Sequence, residues 1–173
     1  MKTSKYKTVL IVEDDPNDVA FMQMAFGQAG IANPLFVVQS GTDAVAYLEG
    51  KGNFADRDRY PFPTLVLLDL KMPGSMDGFD VLGWWQKRGK SPDLRIIVLS
   101  GSEDADDILR SQSLGAAAYR IKNTDFASWL ALAREVRDRW LAIPFLELEV
   151  DEDRFELPFY PKTPSQSFNE LAN

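Results

Sequence analysis

Apolar residues follow two alternating rhythms along this chain. Short, mostly apolar runs at 8–12, 35–38, 65–68, 95–99 and 117–121 are too brief for helices, and their Val, Ile and Leu content predicts strands buried on both faces. Between them the spacing changes to that of a helix. Val19, Met22, Phe26 and Ala29 share one helical face, with Gly30 as the stop, and residues 42–48 form a second helix ended by Gly50. A third is predicted over about 78–88 and a fourth over about 104–114, stopped by Gly115. Thr124 or Asp125 can cap the last helix, whose stripe is Phe126, Trp129, Leu130, Ala133, Val136 and Trp140. Residues 51–63 are polar, contain Pro61 and Pro63, and read as a loop; Met72-Pro73-Gly74 reads as a turn. Adjacent Trp84 and Trp85 point about 100° apart on a helix, so they cannot both be fully buried, and boundary packing is the expectation for the pair. Five strands and five helices alternate strictly by residue 141, which predicts one α/β domain with a parallel sheet and right-handed crossovers.

Beyond residue 143 the character changes. Pro144, Pro158, Pro161 and Pro164 interrupt the chain, and residues 147–156 are strongly acidic. The reading is a domain over 1–143 and a C-terminal arm over 144–173, partly extended or disordered. Leu146, Leu148 and Val150 alternate with glutamates, which hints at one short strand in the arm. The apolar Ile143-Pro144-Phe145-Leu146 run, following Trp140 and Leu141, suggests a homodimer contact.

Composition narrows the chemistry. The 173 residues are 45% hydrophobic and carry a net charge of −7, so counterion-driven nucleic-acid binding is not expected. No apolar run reaches the ~18 residues of a membrane span, and a cytoplasmic location is the default expectation. The absence of cysteine removes disulfides and thiolate metal sites. With no histidine either, histidine-based triads and histidine-ligated metals are excluded, and any metal must be a hard, oxygen-liganded one such as magnesium or manganese.

Four of the predicted strands end in a reactive group: Glu13-Asp14-Asp15, Asp69, Ser100-Gly101 and Lys122. In an open parallel sheet these carboxyl ends share one edge, where ligands bind. Each residue alone has an ordinary explanation. Asp69 can form a turn, one of the three acids can cap the first helix, Ser100 can cap another, and a lone lysine is usually solvated. Capping does not account for three adjacent acids, which repel one another unless a cation is present. Carboxylates, a hydroxyl and an amine on one edge suit a divalent cation and a phosphoryl group.

With these residues in view, residues 7–141 resemble the receiver domain of two-component response regulators. The resemblance rests on Val12-Glu13-Asp14-Asp15-Pro16, Leu67-Leu68-Asp69-Leu70-Lys71-Met72-Pro73 with Asp77-Gly78-Phe79, Leu99-Ser100-Gly101, and Tyr119-Arg120-Ile121-Lys122. Asp15-Pro16-Asn17-Asp18, Phe54-Ala55-Asp56 and Arg139-Trp140-Leu141 point further to stand-alone receivers associated with bacterial phytochromes. The resemblance implies a flavodoxin-like (βα)5 doubly wound sheet of order 2-1-3-4-5. It implies Asp69 as phosphoacceptor, with Glu13, Asp14, Asp69 and the Lys71 backbone carbonyl around Mg2+ (or Mn2+). Lys122 would balance the phosphoryl charge, and Ser100 and Tyr119 would be the switch pair. The implied partners are a sensor histidine kinase, of phytochrome-like kind, and an unknown downstream protein.

Two positions depart from the family pattern. Asn123 stands where a proline with a cis bond is usual; a cis bond before a non-proline costs roughly 3 kcal/mol, so the bond should be trans, or strained if cis. Ser75 and Met76 lengthen the turn after Asp69 by one residue. The leading expectation is a single-domain phosphoacceptor that promotes its own magnesium-dependent phosphorylation and dephosphorylation and is not otherwise an enzyme. A phosphorylation-independent receiver-fold adaptor is the alternative. A magnesium-dependent phosphatase ranks last, because Lys71 occupies the place of its second aspartate.

Overall fold

The computed structural model describes residues 7–89, 91 and 93–141. The chain divides into two units, Met1–Ala142 and Ile143–Asn173; the second lies outside the described residues, and so do the expected arm, its short strand and the apolar run read as a dimer contact.

Five strands form one parallel sheet: β1 (Val9–Val12), β2 (Leu35–Val38), β3 (Leu65–Asp69), β4 (Arg95–Ser100) and β5 (Ala118–Ile121), in the order β2-β1-β3-β4-β5. The helices are α1 (Pro16–Gln28), α2 (Gly41–Glu49), α3 (Gly78–Lys87), α4 (Ala105–Ser113) and α5 (Phe126–Glu135). This is the parallel α/β sheet expected from the alternation, in the flavodoxin-like order that the family resemblance implies, and strand limits fall within one residue of the sequence reading.

Period-two alternation sends each strand's residues to two cores. Leu10, Val12, Val66, Leu68, Ile96 and Val98 join Tyr47, Val81, Leu82 and Trp85 from α2 and α3 on one face. Val9, Ile11, Leu65, Leu67, Ile97 and Leu99 join Met22, Phe26, Trp129 and Ala133 from α1 and α5 on the other. A fully buried side chain of this size contributes about 1.5–3 kcal/mol, so the doubly covered sheet is the rigid base of the molecule. Of the two tryptophans, Trp85 is buried and Trp84 half-buried under Arg88, as boundary packing requires.

Two details differ from the pattern. The loop after α2 contains a 3-10 turn, Gly52–Phe54, and is tied down by aromatics: Tyr47, Phe54 and Tyr60 contact one another, and the Tyr47 hydroxyl donates to the Pro61 carbonyl at 3.1 Å. At the far end, α5 continues as a π turn over Val136–Leu141. Its wider i to i+5 spacing adds Leu141 to the stripe as a buried residue, while Trp140 packs half-buried against the same core.

Candidate metal and phosphoryl centre

The strand register sets the site. Val12 lies opposite Leu68 and Asp69 opposite Leu99, while Ser100 lies opposite Ile121. One residue past these pairs come Glu13 and Lys122, so two carboxylates, a hydroxyl and an ammonium reach the same edge between β1, β3, β4 and β5. The backbone N–H of Lys122 still donates to the Ser100 carbonyl at 2.8 Å, which holds the lysine on the ladder. No peptide bond among the described residues is cis, so Lys122–Asn123 is trans.

Glu13, Asp14 and Asp69 each present an oxygen within 4.8 Å of the others. Asp15, the third acid of the run, instead caps α1, its Oδ1 accepting the Asn17 N–H at 2.8 Å. Glu13 and Asp69 are almost wholly buried, with side chains 1% and 8% exposed, and Asp14 is half-buried. This all-oxygen, multiply charged donor set suits a hard divalent cation.

Lys122 closes the site. Its ammonium lies 2.5 Å from Glu13 Oε2, 3.0 Å from Asp18 Oδ2 and 3.1 Å from Asp69 Oδ2. Burial by itself would lower its pKa, but the hydrogen bond to Glu13, the charges of Asp69 and Glu13 and the bond to Asp18 outweigh this and raise it. Burial pushes Glu13 the other way, up to about 7, against the lowering influence of Lys122 and the Asp15 N–H. The lysine is therefore a fixed positive charge, 13% exposed, rather than a solvated one.

Asp69 Oδ1 accepts the Lys71 N–H at 3.2 Å, so the turn after β3 orients the carboxylate; the Lys71 side chain points to solvent. Two glycines let neighbouring helices press on this turn. A Cβ on Gly78 would meet the Asp69 carbonyl oxygen and, at 2.7 Å, Leu70 Cα. A Cβ on Gly41 would meet the Met76 carbonyl oxygen at 2.5 Å. The Asp77 side chain and Asp80 form a reciprocal cap at the start of α3, so the longer turn ends in a firm anchor.

Ser100 and Tyr119 meet through Ser102. The buried Ser100 Oγ accepts the Ser102 N–H at 3.2 Å, and the Tyr119 hydroxyl donates to the Ser102 carbonyl at 2.8 Å. Ser100 thus caps no helix; Asp104 caps α4. Sequence reading singled out neither Ser102 nor the lysine contact of Asp18. A backbone carbonyl leaves no trace in residue type, whereas an acid in the first turn of α1, just past the strand edge, was a signal that could have been followed.

The comparisons agree with this geometry. Residues 9–134 match the response regulator receiver domain family. Response regulator Rcp1 of Synechocystis is 29% identical over 138 residues, 78% of this chain and 89% of that one. Its Mn2+-bound crystal structure superposes with a TM-score of 0.67 over 78% of this chain and 94% of that one. Response regulator RPA3017, in red light signaling of R. palustris, is 34% identical, with a TM-score of 0.72 over 78% of this chain and 94% of its own. The phosphorylated cyanobacterial phytochrome response regulator RcpA is 29% identical, with a TM-score of 0.69 over 79% and 95%. The acidic cluster fits the divalent-metal binding of this family. With the strand order, the edge of carboxylates and lysine, and a match spanning most of its length, this chain belongs to the response regulator receiver domain family of two-component systems.

Proposed function

We propose that this protein accepts a phosphoryl group on Asp69 from the phosphohistidine of a sensor kinase or phosphotransfer partner, and signals by a change of shape and protein contact. The observation that carries the reading is the position of the Asp69 carboxylate, held by the Lys71 N–H, grouped with Glu13 and Asp14 and 3.1 Å from a largely buried ammonium. Glu13, Asp14, Asp69 and the Lys71 carbonyl would hold magnesium or manganese. When bound, that cation neutralises charge on the phosphoryl oxygens.

An Asp69 carboxylate oxygen attacks phosphorus, a new P–O bond forms, and the P–N bond to the donor imidazole breaks with its electron pair leaving on nitrogen. Lys122 supplies positive charge beside Asp69 throughout, so the transfer is a matter of positioning and electrostatics. Ser100 then turns to donate its hydroxyl to a phosphoryl oxygen, giving up the bond it accepts from the Ser102 N–H, and Tyr119 follows through its own bond to Ser102. The kinship with phytochrome-associated regulators supports a light-sensing histidine kinase as donor, and a cytoplasmic location goes with that assignment.

The adaptor reading draws support from Asn123 and the longer turn at 70–77. Intact mass after incubation with magnesium and acetyl phosphate separates the two. The expected outcome is one labile phosphoryl adduct that is absent in Asp69→Asn and absent without magnesium. No adduct, while a known receiver is labelled in parallel and magnesium binding is confirmed, would leave the adaptor.

A further inference from the structure

Asp18 belongs to none of the groups assigned above. It stands in the first turn of α1, at the third helical position, where an acid ordinarily needs no more explanation than the helix dipole or a cap. Its carboxylate serves elsewhere: Oδ2 lies 3.0 Å from Lys122 Nζ, 104 residues away, while Asp15 makes the cap itself. An ammonium has three N–H donors; two of them serve Glu13 Oε2 and Asp18 Oδ2, while Asp69 Oδ2 lies 3.1 Å away as an ion pair.

We infer that Asp18 is a positioning residue for phosphoryl transfer, holding the Lys122 ammonium beside Asp69 from the side of α1. This rests on the phosphoacceptor reading. Asp69 is the one of these three carboxylates that the reaction changes. As the P–O bond to Asp69 forms and the bond to the donor's leaving group breaks, the third N–H turns to a phosphoryl oxygen. Glu13 and Asp18 hold the other two N–H groups, so the cation stays in place during that exchange. Asp18 matters the more here because Asn123 stands after the lysine, where a proline would have stiffened the loop. It is outside the cluster of Glu13, Asp14 and Asp69, so its effect should run through the lysine and not through the metal.

The test follows labelling by acetyl phosphate across a magnesium titration in wild type, Asp18→Asn, Lys122→Met and the double variant, with melting temperatures to establish folding. Asp18→Asn keeps an oxygen acceptor but loses the charge that holds the ammonium, and its limiting rate should fall about tenfold. The magnesium concentration at half-maximal rate should hold within about twofold, and in the Lys122→Met background the added Asp18→Asn should change the rate by less than about twofold. The Lys122 ammonium signal in 15N NMR, assigned by its loss in Lys122→Met, gives a readout independent of rate: sharp in wild type, broadened in Asp18→Asn. A wild-type rate in Asp18→Asn, an equal loss in both backgrounds, a shifted magnesium requirement, or an ammonium signal unchanged by Asp18→Asn or already exchanging freely in wild type would each overturn the inference. Wild type that takes no label beside a labelled control receiver would instead overturn the phosphoacceptor reading.

Discussion

Single residues at the site act largely through what their neighbours permit. Gly78 carries no chemistry, yet any side chain there meets the backbone of Asp69 and Leu70. Gly78→Ala is expected to cost about 1–3 kcal/mol, as overpacking does, and to displace the Asp69 turn. Urea unfolding measures the first effect; an unchanged midpoint would mean that the helix start yields easily. The meeting of Asp14, Asp69, Ser100 and Lys122 was legible in the sequence because each ends a strand or follows one within two residues, and a parallel sheet collects strand ends. Asp18 and Ser102 were not. One acts from a helix whose rotation the sequence leaves open, and the other through backbone atoms common to every residue type.

At the scale of elements, regular periodicity was readable and its interruptions were not. The stripe on α5 extrapolates to Trp140 at an α-helical spacing, but the π turn buries Leu141. Leu141→Ala should therefore cost about 2–4 kcal/mol by thermal unfolding, whereas Leu109→Ala on the exposed side of α4 should stay within about 0.5 kcal/mol. The loop after α2 is ordered by aromatics scattered over 25 residues of sequence, from Phe36 to Tyr60, too dispersed for any periodic pattern. Its centre, Tyr47, has a phenol pushed well above the ordinary 10.0 by burial, opposed by Arg57 and assisted by Tyr60. A raised pKa means that folding favours the protonated phenol. The stability it gives is complete below about pH 10, the unfolded value, and declines as pH rises beyond it. Tyr47→Phe should lose about 1 kcal/mol at neutral pH with the bond to Pro61, and should show a shallower decline in stability between about pH 10 and 12. Parallel pH–denaturant series would show no difference in slope if the phenol were hydrated in the folded protein.

For the whole molecule, layering and parallel pairing followed from strict alternation and from the short, doubly apolar runs, while the strand order was legible only through the family resemblance. What alternation alone cannot supply is the balance of charge at the sheet edge, where four carboxylates and one ammonium share a partly buried corner in a protein of net charge −7. A divalent cation at a hundred times its dissociation constant should stabilise the fold by about 2.7 kcal/mol, raising the melting temperature by several degrees. A chelator should reverse the gain, and Asp14→Asn should abolish it while making the metal-free protein more stable. A shift that persists in Asp14→Asn would place the cation elsewhere. Ser102 carries a consequence of another kind, because its two peptide groups serve Ser100 and Tyr119 at once. In the proposed switch the free energies of the two residues would be linked, and linkage works in either direction. A downstream protein that grips Tyr119 in its inward position would prolong the life of the aspartyl phosphate, so the abundance of the listener would help set how long the message lasts.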